Sequence, residues 1–260
     1  MSDDRQLVTC EVKDQVAVVT IDRPPVNAWN LQLQDEFRAV IKELSSETEV
    51  RSIIIRGQGK AFIAGADLEM IAQLDVSEAA QLSASTQAAL SLIAGCPQVV
   101  IAAVDGLALG GGAEVALACD VRVAGQKAVF GFPEVGLGIL PGAGGTQRLA
   151  RLVGPGKAKE MILSGDPIRA EEALKIGLVE RLAPQGQALE EATKLARRIA
   201  LRGPKAVAKA KQAIDSGLDL PLDQGFKLES RLFSELFDTE DYKEGLAAFF
   251  EKRRPRFSGR

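Results

Sequence analysis

Short runs of β-branched and aliphatic residues, each closed by proline or glycine, recur through the first half of the chain. Val16–Ile21 (VAVVTI) stops at Arg23-Pro24-Pro25, Ile53-Ile54-Ile55 is followed by Gly57 and Gly59, and Val99–Val104 is followed by Gly106. Runs of this length with such stops read as buried strands. Residues 121–124 and 128–130 read as two more. Between them lie helical patterns. Residues 31–44 carry apolar side chains at 33, 37, 40, 41 and 44, and residues 77–94 follow Asp75 with Glu78 three positions on, a capping-box start. Asp67 reads as the cap of a short helix after Gly65-Ala66. Strands that alternate with helices define an α/β class. After Pro141-Gly142-Ala143-Gly144-Gly145 the pattern is helix alone. Residues 187–201 place Leu189, Ala192, Leu195, Ala196 and Ile199 on one face, and Leu222, Phe226, Leu232, Phe233, Leu236 and Phe237 form a more aromatic stripe suited to core or subunit packing. At 260 residues without a low-complexity linker, one large domain or a core with a helical tail is expected.

Composition narrows the chemistry. There is no histidine, so His-dependent triads and His-containing metal sites are excluded. Cys10, Cys96 and Cys119 form no CxxC pair, which argues for reduced thiols in a cytoplasmic protein and against a zinc site or disulfides. A net charge of −3 with one Trp and one Tyr is unfavourable for nucleic acid or an anionic membrane. The first six residues are polar and acidic, unlike a secretory leader, and no apolar run reaches the roughly 18 residues of a membrane span. Chemistry must come from carboxylates, amides, hydroxyls, Lys or Arg.

Two glycine-rich stretches fail as nucleotide sites. Gly154-Pro155-Gly156 meets Lys159 where a dinucleotide fingerprint needs glycine, and Gly156-Lys157 lacks the flanking residues of a phosphate loop. Leu109-Gly110-Gly111-Gly112-Ala113-Glu114 is different, because a glycine run at a helix start presents free N–H groups at the positive end of the helix dipole. Close packing alone would also explain the glycines. Glu114, however, is the only charged side chain between Asp105 and Asp120. A buried carboxylate costs several kcal/mol or is driven to protonate, which marks it as a functional candidate. Glu134 is a second lone carboxylate, in the apolar stretch Phe130–Gly138, where on its own it reads as a surface Glu beside a proline turn. Two such groups could share acid and base work on one water, although spacing does not establish that they converge.

These residues also carry a family signature. The chain resembles the crotonase (enoyl-CoA hydratase/isomerase) superfamily, most of all its bacterial short-chain enoyl-CoA hydratases. The match lies in AFIAGADL (61–68), residues 97–120 with IAAVDGLALGGGAEVALACD inside them, FGFPE (130–134), PGAGGTQRL (141–149), SGD (164–166) with residues 173–179, and EGLAAF (244–249) with EKR (251–253). It spans about residues 7–257, with the motifs in family order.

The resemblance implies a spiral of ββα units over residues 1–195 carrying the acyl-CoA site, then a helical region, 196–260, for assembly into trimers or dimers of trimers. It places an oxyanion hole at the backbone N–H groups of Ala66 and Gly111, and the two hydratase carboxylates at Glu114 and Glu134. It implies syn addition of water to a 2-enoyl-CoA giving a 3-hydroxyacyl-CoA, in fatty acid β-oxidation or related metabolism, with no metal and no cofactor beyond the coenzyme A of the substrate. Coenzyme A contacts fall on Val26, Ala28, Ala64, Ala66, Asp67 and Leu68, with Phe249 and Lys252 directed at a neighbouring subunit's ligand. Two departures stand out. Pro25 occupies a position where a coenzyme A-contacting Lys is common, and Phe132 stands where hydratases typically have Gln, a place from which a bulky apolar ring would reshape the acyl pocket, or dry it and raise the pKa of Glu134. Phe132 motivates an isomerase, or a hydratase for cyclic or dienoyl thioesters, as the alternative. An RNA-binding or scaffolding relative is the remote one.

Overall fold

The structure, a computed structural model, describes residues 5–260; residues 1–4, part of the polar start on which the no-leader expectation rests, lie outside it. The chain opens with an antiparallel hairpin, β1 (Val8–Lys13) and β2 (Val16–Ile21), and helix α1 (Leu31–Ser46), which Asn30 caps through Leu33 N. Three turns of one pattern follow. The first is β3 (Ser52–Gly57), β4 (Ala61–Ile63) and helices α2 (Leu68–Ile71) and α3 (Val76–Gly95). The second is β5 (Val99–Val104), β6 (Leu107–Leu109) and α4 (Gly111–Ala118). The third is β7 (Val121–Gly125), β8 (Val129–Gly131), a 3-10 turn (Pro133–Leu137), α5 (Gly145–Val153) and α6 (Pro155–Ser164). Then come β9 (Ile168–Arg169), α7 (Ala170–Lys175), β10 (Arg181–Ala183) and α8 (Ala188–Ala200). Helices α9 (Pro204–Gly217), α10 (Leu222–Glu235) and α11 (Glu240–Phe250) end the chain.

Each turn gives one strand to a six-stranded sheet, ordered β1-β2-β3-β5-β7-β10, and one to a four-stranded sheet, ordered β4-β6-β8-β9. The spiral of ββα units is therefore present. The unbroken apolar runs have a direct reason. Ile53 and Ile55 of β3 face the main core while Ile54 faces a second core under α8, and Val100, Ala102 and Val104 of β5 divide from Ile101 and Ala103 in the same way. A strand covered on both faces needs no polar side.

The expectation of helix alone after residue 145 is corrected. β10 pairs in parallel with β7, and β9 pairs antiparallel with β8. Strands of two or three residues have no readable period, and only a sheet edge already built elsewhere makes them strands. The same brevity hides β4 and β6. The boundary at 195/196 falls inside α8, which is unbroken and sets Ala188, Ala192, Ala196 and Ala200 on the six-stranded sheet. Of the aromatic stripe only Leu232 is buried; Phe226 is 58% exposed, Phe233 62% and Phe237 43%, so within one chain the stripe is not core.

Arg122 ties the end of α4 to the following layers. It is buried, donates to Leu178 O at 2.9 Å and Cys119 O at 2.7 Å, and pairs with Glu180. Arg122→Met removes the cation and leaves those acceptors unpaired. The expected loss is about 3 kcal/mol or more of unfolding free energy, read from denaturant midpoints at unchanged slope.

Candidate active site

Strands β4, β6 and β8 are parallel neighbours, so their C-terminal ends emerge side by side. They lead into residues 64–66, 110–111 and 132–134 respectively, bringing three separate sequence motifs to one sheet edge. Open parallel sheets generally bind ligands at such ends. The approach of α4 is unusually close. A Cβ built on Gly112 would lie 2.0 Å from Ile63 O, so the first turn of α4 rests directly on the end of β4.

The Ala66 and Gly111 amides meet the requirements for free donors. Trp29 N donates to Gly65 O and Asp67 N to Trp29 O, both at 2.8 Å, so the bridge to Trp29 uses the groups flanking Ala66. In this parallel pairing the Ala66 N–H itself faces away from Trp29. Gly111 is the first residue of α4, after Gly110 at φ +48° and ψ −120°, and its N–H has no carbonyl a turn earlier to bond. Neither amide donates a hydrogen bond among the described residues.

Glu114 is 2% exposed. Its Oε1 accepts from Ala143 N and Gly145 N, both at 2.7 Å. Helix α5 starts at Gly145 behind Gly144, which offers no side-chain cap, so Glu114 of α4 serves as the missing cap of α5. Burial pushes the Glu114 pKa up, opposed by the Gly145 and Ala143 amides and by the charge of Arg148. Glu134 stands in the 3-10 turn after β8, and its Oε1 lies 2.7 Å from where a Gly110 Cβ would be. Gly110 is needed both for its positive φ and for this contact. Burial, with the charge of Glu114 adding to it against the pull of Glu134's own amide, raises the Glu134 pKa to about 7. Its Oε2 is buried without a partner. Glu114 and Glu134 are thus close enough to couple, and they are unequally supported: one carboxylate holds two N–H donors, and the other has an oxygen without any.

A carboxyl whose pKa is higher in the folded chain holds its proton more tightly there. Its favourable contribution is full below the ordinary value of 4.5 and is lost as pH rises to about 7. With partial solvent screening, the stability gap between Glu134→Gln and the unmodified protein should widen by on the order of 2 kcal/mol between pH 4.5 and 7.5. Urea midpoints at several pH values measure it, and a constant gap would contradict the protonated, buried state.

The segment 23–29 is drawn to the same edge. Ala64 N donates to Val26 O at 3.1 Å, and the buried Asn27 donates to Ala61 O at 2.8 Å. Arg23 bonds Ala28 O at 2.9 Å and Asp67 at 2.6 Å. Burial acts to raise the Asp67 pKa, but the Arg23 bond and charge and the Met70 and Glu69 amides together hold it below the ordinary value. Asp67 caps α2 as expected, and Leu68 beside it is 54% exposed. Val26, Ala28, Ala64, Ala66, Asp67 and Leu68 therefore form one rim.

Phe132 does not line that rim. It is 0% exposed, and its ring edge, like Glu114 Oε1, lies 3.0 Å from a Cβ built on Gly145. Phe132 and Glu114 thus both pack against Gly145 at the start of α5, and Phe132 presents no exposed surface. Phe249 (76% exposed) on α11 and Lys252 just after it have no hydrogen bond to the site. The sequence also left Ala143, Gly145, Arg23 and Arg148 without roles; the Gly144-Gly145 start of α5 was the readable signal for the first two.

The same architecture occurs in solved structures. An enoyl-CoA hydratase from Bacillus anthracis superposes with a TM-score of 0.95 at 39% identity, covering 98% of this chain and 100% of that one. The fold is thus the crotonase fold. Among curated relatives, a short-chain-enoyl-CoA hydratase of Clostridium acetobutylicum is 43% identical over 249 residues, 95% of each protein. A crotonyl-CoA hydratase of Syntrophomonas wolfei is 42% identical over 252 residues, 96% of this chain and 97% of that protein. The sequence model of the enoyl-CoA hydratase/isomerase family matches residues 11–260, and this chain belongs to that family. Among the described residues no helix is long and apolar enough to cross a membrane, and no group of three or more His, Cys, Asp or Glu is placed to hold a metal ion.

Proposed function

We propose that this protein is an enoyl-CoA hydratase adding water across the 2,3-double bond of a short 2-enoyl-CoA. The observation that carries the reading is the joint placement of Glu114 and Glu134 at the N-terminus of α4, beside the unbonded amides of Ala66 and Gly111. The thioester oxygen lies between those two amides. Fixed donors stabilise the enolate-like charge that develops as oxygen adds to C3, each worth roughly 3–4 kcal/mol of barrier. Glu114, held by two N–H groups, takes the proton of the attacking water. Glu134, protonated up to about pH 7, supplies the proton to C2. The carboxyl that gave the proton then recovers one through its partner and solvent, so the pair returns to its starting state.

The rim of Val26, Ala28 and Ala64 to Leu68 is the proposed coenzyme A path, with no cofactor beyond the substrate's own coenzyme A. The exposed apolar faces of α9 and α10 support self-association as a trimer or dimer of trimers, in which Phe249 and Lys252 would approach a neighbour's ligand. Buried free thiols at Cys96 and Cys119 support a cytoplasmic setting. Phe132 gives no support to a reshaped acyl pocket, since it offers no surface to a ligand. The test is loss of the conjugated enoyl-thioester ultraviolet absorbance when purified protein meets crotonyl-CoA. Fast loss with 3-hydroxybutyryl-CoA as product supports the reading, and no turnover despite bound thioester overturns it.

A further inference from the structure

Arg148, in the first turn of α5, is a half-buried cation whose one side-chain hydrogen bond among the described residues goes to Ala143 O, at 3.1 Å. The N–H of the same Ala143 donates to Glu114 Oε1 at 2.7 Å. Arg148 N also closes the turn onto Gly144 O at 2.8 Å. The guanidinium covers Gly144, where a Cβ would lie 2.5 Å from Nη1 and where φ is +110°. Residues 143–145 are therefore clamped between Arg148 on one side and Glu114 on the other.

Few other charges face Glu114. β4 and β6 carry no titratable side chain, and Glu78 of α3 is exposed and occupied with the Asp75 capping box. Arg151 of α5 is directed to Asp219, and Glu134 is the second carboxylate of the site. Cys119, beyond the end of α4, is a thiol whose pKa burial pushes up to about 12, so it stays neutral beside Arg148. Burial lowers the Arg148 pKa and the Glu114 charge raises it, but an arginine stays charged at any working pH.

We propose that Arg148 is a positioning residue for Glu114: it pins the Ala143–Gly145 turn whose amides hold that carboxylate and supplies the single cation facing it. Glu114 is thereby kept as the ionised member of the pair and Glu134 as the protonated one. The inference rests on the hydratase reading for its consequence but not for its first test. An opposite charge close to a carboxylate favours its ionised form, so removing this one frees Glu114 to protonate at higher pH.

Infrared difference spectra between the unmodified protein and Glu114→Gln at pH 6.5 need no activity. A lost carboxylate stretch is expected; a lost protonated-carboxyl band overturns the proposal whether or not the protein hydrates anything. The pH profile of kcat/KM for crotonyl-CoA then separates charge from mere support. Arg148→Gln, which keeps a donor for Ala143 O, should shift the acidic limb upward by about one pH unit, so that kcat/KM on the acid side of that limb falls by up to roughly tenfold, mostly in kcat. Arg148→Lys should restore the limb. A limb unmoved in Arg148→Gln overturns the proposal. Lack of crotonyl-CoA turnover by the unmodified protein counts against the hydratase reading and leaves the infrared result to decide this one.

Discussion

Glu134→Gln is expected to lower turnover of crotonyl-CoA by about 10²–10⁴-fold, with the thermal midpoint unchanged or raised. The amide has the size and shape of the carboxyl it replaces, so the contact beside Gly110 persists. What disappears is the transferable proton. Burial keeps that proton on Glu134 up to about pH 7, and the buried Oε2 has no partner to lose. Initial rates with folded, thioester-binding protein make the measurement. A variant that keeps a tenth or more of the rate would remove Glu134 from the mechanism.

Gly112→Ala should do comparable damage by another route. The new methyl would meet Ile63 O at 2.0 Å, and this carbonyl belongs to a buried strand that cannot swing aside. Overpacking of this severity is expected to cost about 3 kcal/mol or more, because either α4 or β4 must move. The same displacement separates the amides of Gly111 and Ala66, since one opens α4 and the other follows β4. Whatever protein still folds should therefore show kcat reduced by roughly 10²-fold, the penalty of ångström-scale misplacement. Gly111→Ala is the control, because nothing lies within 4 Å of its Cβ position. It should leave the unfolding midpoint nearly unchanged.

The α/β class was legible from the doubly buried runs of β2, β3 and β5, and the long helices from their stripes and caps. The capping box at Asp75 and Glu78 forms as read. Glu114 stood out because a lone carboxylate among Leu, Ala, Val and Gly is costly unless it has a use, whereas Glu134 alone read as a surface Glu beside a proline turn and gained weight only as its partner and from the family motif. That argument needs no coordinates. The family, too, was legible in motif order.

What the chain could not disclose locally was adjacency. β4, β6 and β8 are three residues each and carry no period, yet their parallel pairing is what places residues 64–66, 110–111 and 132–134 side by side. The close approach at Gly112 was invisible for the same reason, since its partner, Ile63, lies 49 positions earlier. Phe132 read as a pocket residue because a large ring two places before Glu134 has no stated direction until the β8 turn sets it. Once set, the ring is fully buried against Gly145, where Glu114 also packs. The unequal support of the two carboxylates likewise comes from elsewhere in the chain, from the start of α5 and from Arg148. Side-chain chemistry was thus written into the sequence by the cost of burying charge. Which atoms meet was decided only when distant backbone groups closed around them.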